Sequence, residues 1–349
     1  MKYLSVCSGI EAASVAWHPL GWEAVGYSEI EPFPSAVLKH HYPDVTNFGD
    51  MTKYKEWNLE TIDLLVGGTP CQSFSVAGLR KGLADPRGNL ALVYCGILDH
   101  FRPKWFVWEN VPGVLSSNGG RDFGSFLGAL AELGYGFAYR VLDAQYFGVA
   151  QRRRRVFVVG YLGDWRPAAE VLFERESVRG NPAPSRGKEE EVAGTFTSRA
   201  KSGGWNGDIE FAAAGYMRPV AARMVAFGEY VNDGTASTMK QRDYKDATDL
   251  VTQPITFSGQ MSVPQTDVNM SATLQAKNPM AVAQAMAVRR LTAIECERLQ
   301  GFPDNYTNIP WRKAAESPDG PRYKALGNSM AVPVMAWIGQ RIANYEQQA

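Results

Sequence analysis

The chain has 349 residues, 45% hydrophobic and 21% charged, which allows two or three domains with a sizeable core and excludes a disordered or fibrous chain. No apolar run is long enough to cross a bilayer, and Met1-Lys2 leads directly into a strand-like segment rather than a signal peptide, so a membrane anchor is not expected. Lysine plus arginine equals aspartate plus glutamate at 36 each, so binding to nucleic acid by bulk charge is excluded and any such contact must be local.

Taken in chain order, Tyr3 to Val6 reads as a strand, Cys7-Ser8-Gly9-Ile10-Glu11 as a turn and Ala12 to Leu20 as a helix. This entry lacks the GxGxxG that lets backbone approach a pyrophosphate, which lowers nicotinamide or flavin dinucleotides and leaves room for a nucleoside without phosphates. S-adenosylmethionine is the candidate; an ordinary strand–helix turn also fits. A second strand, Glu23 to Tyr27, ends in Ser28-Glu29-Ile30-Glu31. A carboxylate there suits ribose hydroxyls, and Ile30 suits an adenine face. Asp50, between Gly49 and Met51, offers a carboxylate for an adenine amino group.

The apolar run Ile62 to Val66 reads as a buried parallel strand and leads into Gly67-Gly68-Thr69-Pro70-Cys71-Gln72-Ser73-Phe74-Ser75. Pro70 fixes its own φ and holds Thr69 extended, so Cys71 is presented on a stiff backbone. That suits a nucleophile, and on this stretch alone a buried structural cysteine fits as well. The four cysteines, Cys7, Cys71, Cys95 and Cys296, lack CxxC spacing, which argues against zinc and disulfides and fits the reducing cytoplasm. Leu79 to Asn89, with glycines before and within it, is a candidate for a closing loop. Leu90 to Phe101 reads as a helix.

Trp105 to Trp108 is a strand ending in Glu109-Asn110-Val111-Pro112. Apolar surroundings would raise the Glu109 pKa and let it carry a proton near neutral pH; a turn-capping carboxylate is the alternative. Gly124 to Leu133 reads as a helix and Tyr139 to Leu142 as a strand. Next comes Gln151-Arg152-Arg153-Arg154-Arg155, running into the strand Val156 to Val159. On a strand, Gln151, Arg153 and Arg155 share one face. From about Leu162 to Val288 the composition shifts to Gly, Ser, Thr and Ala with turn signals. Three loosely similar pieces, Ala193 to Thr197, Asp233 to Ser237 and Ser271 to Gln275, read as short β segments, each before basic residues. Thr292 to Leu299 and Pro333 to Tyr345 read as helices.

The ordered set Ser8-Gly9-Ile10, Pro70-Cys71-Gln72, Glu109-Asn110-Val111, Gln151-x-Arg153-x-Arg155, Arg290-Leu291-Thr292 with Gln300-Gly301-Phe302-Pro303, and Gly327-Asn328-Ser329 resembles the DNA (cytosine-5)-methyltransferases. The match covers residues 1 to about 161 and about 288 to 340. Glu11 departs from it, standing where the family usually has a second glycine. The resemblance implies an α/β fold: a Rossmann-like, doubly wound methyltransferase sheet with a smaller, mostly β or irregular target-recognition domain. Residues 1–161 plus about 320–349 would form a discontinuous catalytic domain. Residues 162–288 would be the target-recognition region, with 289–319 completing the small domain or hinge.

The resemblance also implies roles. Cys71 would be the nucleophile that adds to cytosine C6, Glu109 the acid at N3, Arg155 the holder of O2, and Arg153 a further catalytic group. Cys7, Ser8, Gly9, Ile10, Glu29, Ile30, Asp50 and Met51 would meet S-adenosylmethionine. Gly68, Pro70, Leu90, Asn328 and Ser329 would complete that site. Gln72, Ser75, Gln151, Lys240, Arg242 and Arg290 would touch DNA. The partner implied is duplex DNA, with a cognate restriction endonuclease left open, and the protein is expected to act as a monomer in the cytoplasm. An RNA cytosine methyltransferase and a non-catalytic DNA-binding homologue are the alternatives.

Overall fold

The computed structural model describes residues 1–70, 90–173, 220–226, 229–231, 249–257, 281–289 and 291–348. These fall into two compact units: the first holds the described residues up to 173 and those from Ala293 onward, the second the strands between them.

The first unit is built on one sheet of six strands. These are β1 (Lys2–Val6), β2 (Glu23–Ser28), β3 (Leu64–Gly68), β4 (Trp105–Asn110), β5 (Tyr135–Asp143) and β6 (Arg154–Leu162), in the order β2-β1-β3-β4-β6-β5. β1 to β4 are mutually parallel, and β6 runs antiparallel to both β4 and β5. Every residue of β4 is buried, with Trp105, Phe106, Val107 and Trp108 wholly inaccessible. A strand covered on both faces must be apolar on both, which is why it reads as a continuous hydrophobic run. β3 extends through Gly67 and Gly68, which pair with Trp108 and Glu109, so the strand ends beside the carboxylate.

The helices are α1 (Ala12–Trp17), α2 (Pro32–His41), α3 (Leu90–Phe101), α4 (Arg121–Glu132), α5 (Arg166–Leu172), α6 (Ala293–Gln300), α7 (Asp319–Asn328) and α8 (Val332–Gln348). The helix expected over Ala12 to Leu20 instead tightens at His18–Leu20 into a 3-10 turn that contains Pro19. Proline cannot supply the N–H that continues an α-helix. The final helix docks on α1, where the Trp17 indole donates to the Met335 carbonyl at 2.8 Å. Its far end reaches β4, where the Trp105 indole donates to Glu346 at 2.9 Å.

Two expected boundaries are corrected. Residues 162–173 are not part of the composition-shifted middle: α5 packs against β5 and β6. Residues 293–319 do not complete a small domain, because from Ala293 they group with the six-stranded sheet. Buried Glu297 on α6 accepts from the backbone of Asn305 and Thr307 and pairs with Arg322 of α7 at 3.1 Å.

The second unit contains β7 (Val220–Ala226), β8 (Glu229–Val231), β9 (Asp249–Phe257) and β10 (Ala281–Arg289), an antiparallel sheet in the order β10-β9-β7-β8. Pro254 lies inside β9 although that strand is paired on both sides. The β9–β10 register slips there, with Ile255 opposite Ala283 and Gln253 opposite Ala287. A bulge is where a residue without an N–H fits a ladder. None of these four strands coincides with the three β pieces expected from the sequence, which lie outside the described residues.

Candidate active site

The strand order reverses between β1 and β3, and ligands of doubly wound sheets lie in the crevice beyond the strand ends at that point. A pocket opens there. The loop after β1, the end of β3, Glu109 of β4 and the turn Asn328-Ser329-Met330 line it. Its charged lining residues are Glu11 and Glu109, and no lysine or arginine is among them. Such a wall offers phosphates no cationic partner and suits a ligand of net positive charge, which fits a sulfonium nucleoside such as S-adenosylmethionine.

The loop after β1 takes three left-handed backbone conformations in five residues: Cys7 at φ 49°, Gly9 at φ 56° and Glu11 at φ 63°. Glycine adopts this without strain, whereas each of the other two costs about 1–2 kcal/mol. The loop is tied to the end of β2, where Ser8 N–H donates to the Ser28 carbonyl at 3.2 Å and Gly9 N–H to the Glu29 carboxylate at 2.8 Å. Glu29 also accepts from Glu31 N–H at 2.7 Å, so this expected ribose ligand is first an anchor of the loop. Ile30 is 70% exposed, open to a flat partner. Asp50 is exposed and accepts from Thr52 N–H, while Met51 is buried with its sulfur 3.4 Å from the Cys7 thiol. Burial, with the Glu29 carboxylate, pushes that thiol up to about 12, so Cys7 stays protonated.

Glu11 caps α1. It accepts from Ser14 N–H at 3.2 Å, Ser14 Oγ at 2.6 Å and Ser5 Oγ, and is 1% exposed. Burial pushes its carboxyl up to about 7 against the pull of these hydrogen bonds. Sequence reading noted Glu11 as a departure from the family pattern and assigned it no role.

On the other side of the pocket the end of β3 is fixed by β4. The Trp108 indole donates to Thr69 Oγ1 at 3.0 Å, and the Asn110 amide donates to the Thr69 carbonyl at 2.9 Å. Thr69 and Pro70 therefore enter the next residue, Cys71, from a clamped strand end. Trp108, Asn110 and Thr69 received no role from the sequence; only their place beside Glu109 and Pro70 could have singled them out. A Cβ at Gly68 would stand 2.8 Å from Glu109 Oε2, so a side chain there would displace the carboxylate.

Glu109 is buried, and its Oε1 lies 3.0 Å from Arg155 Nε. Burial raises the Glu109 carboxyl above the ordinary carboxylate range, outweighing the nearby Arg155 and Arg153 guanidinium groups. Exposure alternates through the arginine run, with Gln151 and Arg153 buried and Arg152 and Arg154 exposed, as on a strand although β6 begins only at Arg154. The two buried-face arginines do different things. Arg155 faces the carboxylate, whereas Arg153 donates to the carbonyls of Gly327 and Ser329 at 3.2 and 2.6 Å and holds that turn against the pocket. Gln151, expected at DNA, is fully buried, and its amide has no hydrogen-bond partner among the described residues. Leu90 begins α3, Ile10 is buried and Asn328 is exposed at the pocket's rim. Cys71, Gln72, Ser75, Lys240, Arg242, Arg290 and the expected closing loop from Leu79 to Asn89 lie outside the described residues.

A doubly wound sheet whose switch-point pocket has no lysine or arginine in its lining fits the frame of the S-adenosylmethionine-dependent methyltransferases. Within that class, the model of the C-5 cytosine-specific DNA methylase family matches residues 1–344, and the chain belongs to this family, whose methyl donor is S-adenosylmethionine. It is 42% identical to the "DNA N-6-adenine-methyltransferase" of Escherichia phage P1 over 97% of its length, and it spans 61% of that longer protein. It is 28% identical to the Type II methyltransferase M.SsoII of Shigella sonnei, over 98% of this chain and 79% of the relative. The solved structure of S. pombe Dnmt2 methyltransferase shares the fold, with a TM-score of 0.61 at 17% identity over 99% of both chains. Among the described residues no helix is long and apolar enough to cross a membrane.

Proposed function

We propose that this chain transfers a methyl group from S-adenosylmethionine to C5 of cytosine in a specific duplex DNA sequence. The observation that carries the reading is Glu109: a buried carboxyl whose proton affinity burial raises, held at Arg155 and adjacent to the clamp that leads the chain into Cys71. Cytosine C5 is a poor nucleophile until the ring's conjugation is broken. The Cys71 thiolate adds to C6, and Glu109 supplies a proton at N3 as negative charge develops there. Arg155 holds O2 while keeping Glu109 oriented. The bound sulfonium supplies the methyl group to the C5 so activated. Loss of the C5 proton to solvent and expulsion of Cys71 then restore the aromatic ring. C6 is out of reach inside a stacked duplex, so the nucleotide is flipped out, at a cost of about a few kcal/mol.

Gly327 to Ser329, held by Arg153, and the loop after β1 are the parts of this chain that receive the donor. The four-stranded second unit is assigned to target recognition, and Lys240, Arg242 and Arg290 are assigned as contacts to base edges or phosphates. The protein works as a monomer in the cytoplasm. Its Type II relatives make a cognate restriction endonuclease a candidate partner.

The name of the phage P1 relative raises a second reading, methylation of adenine N6. That name belongs to a longer protein, and methylation of an exocyclic amine has no use for a thiol adduct. Transfer of labelled methyl groups to duplex DNA, followed by nucleoside analysis, decides between them: 5-methylcytosine is expected, and N6-methyladenine overturns the proposal. Transfer RNA in a parallel assay tests the RNA alternative. Cys71→Ser should abolish turnover while retaining S-adenosylmethionine and DNA binding, because a hydroxyl adds poorly to C6. DNA carrying 5-fluorocytosine should trap wild type as a covalent adduct, and no adduct would mean a non-catalytic homologue.

A further inference from the structure

Glu11 is a carboxyl with a burden and no counter-ion. It sits in the pocket wall, is buried, and takes a left-handed backbone where glycine would be unstrained. Its partners are two hydroxyls and one backbone N–H; no lysine or arginine pairs with it among the described residues. Capping α1 does not require this, since serine, aspartate or asparagine caps a helix without a buried long-chain carboxyl. A buried carboxyl beside a pocket is stabilised in its ionised form when a cation enters.

We propose that Glu11 reads the charge on the cofactor's sulfur: its carboxylate favours the sulfonium donor over the neutral thioether left after transfer. The inference rests on the pocket being the S-adenosylmethionine site. The balance is simple. The Glu11 carboxyl loses its proton to the buffer as the cationic ligand enters, and regains one when the uncharged thioether replaces it.

Burial sets Glu11 near pH 7, so the empty pocket is part-protonated at neutrality. The phenols facing it do not titrate in this range. Tyr3 and Tyr27 meet it through Ser14 at 2.7 and 2.9 Å, Tyr42 and Tyr306 stand beyond, and burial raises all four phenols. Glu29, across the loop, adds negative charge and favours the proton on Glu11. A cation lowers Glu11's proton affinity, so donor binding must tighten as pH rises toward 7 and level off above it. The limit is about tenfold per pH unit on the acid side. The thioether carries no sulfur charge, and its affinity should be nearly flat.

The test is calorimetric titration of the full chain with S-adenosylmethionine and with S-adenosylhomocysteine at pH 6, 7 and 8, in two buffers of different ionisation heat. Wild type should show a donor-over-product preference that rises about tenfold from pH 6 to 8, with net proton release on donor binding at pH 6. Glu11→Gln should flatten the preference and abolish the release. Glu11→Gly suits the left-handed backbone and should do the same, which keeps the test decisive if the glutamine variant folds poorly. Glu109→Gln, removing the other pocket carboxyl, should keep the rise. A flat preference in wild type, or an undiminished rise in both Glu11 variants, overturns the inference. Failure of wild type to bind either ligand overturns the pocket assignment itself, and the inference with it.

Discussion

Replacing Glu11 by glutamine removes the titration of one buried carboxyl while keeping its shape and its acceptor for the Ser14 N–H. In the folded chain burial holds this group at about 7, against 4.5 for an ordinary glutamate. That gap corresponds to about 3 kcal/mol of stability linked to the proton. The sign follows from the direction. A carboxyl whose folded pKa is raised contributes stability that is fully present below about pH 4.5 and lost as pH rises through about 7. Wild type should therefore weaken over that window relative to Glu11→Gln, whose amide does not titrate. Any fixed cost of fitting the amide hydrogens among Ser5 and Ser14 shifts the difference equally at every pH and leaves its slope intact. Urea unfolding of both proteins at pH 5, 6, 7 and 8 measures it. The stability difference should move by about 2–3 kcal/mol in favour of the variant between pH 5 and 8. A difference that stays constant across this range would refute the claim that Glu11 is held protonated by burial.

Asn110→Ala frees the Thr69 carbonyl and the Val111 N–H together, costing about 1–3 kcal/mol, and loosens the entry to Cys71. Single-turnover methyl transfer should fall by about tenfold to a hundredfold, since small misplacements of a nucleophile are expensive, with S-adenosylmethionine affinity within about twofold of wild type. Glu29→Ala removes the anchor of Gly9 N–H together with a proposed cofactor ligand, and Asp50→Ala removes a second proposed ligand, which is exposed. Calorimetry should show weaker S-adenosylmethionine binding in each, by about 1–3 kcal/mol; unchanged affinity in both would reject the assignment of the acidic strand ends.

Local pattern alone was enough for the elements whose neighbours in sequence dictate their shape. The strands β1 and β4 were legible as strands, the apolar run leading into β3 announces a buried parallel strand, and α3 runs from Leu90 to Phe101 as expected. The alternation of Gln151, Arg153 and Arg155 against Arg152 and Arg154 follows from the two-residue repeat of extended chain and appears in their burial. The ordered short motifs were enough to place the chain in its family, because each marks a loop at a strand end. Two helices that carry proline and glycine were not legible. α2 carries Pro32 and Pro34, and α7 carries Gly320, Pro321 and Gly327; the prolines all fall in the first turn, where the missing N–H has no partner to lose, a placement visible only once the helix start is known. The strands of the second unit were equally opaque, β9 most of all, since its central proline is accommodated by a register slip that exists only once β10 is alongside.

What the tertiary structure decided is which side chains meet, and therefore what each one is. Arg153 and Arg155 are equivalent in the sequence, yet one closes on carbonyls 174 and 176 residues away while the other faces Glu109. Burial raises the proton affinity of Glu109 and Glu11 because the folded core removes water from them, a property of the surrounding packing that no stretch of neighbouring residues specifies. The sequence by itself determined the chemistry available at the strand ends. Only the packing of distant segments around those ends set their charge, their partners and the pocket between them.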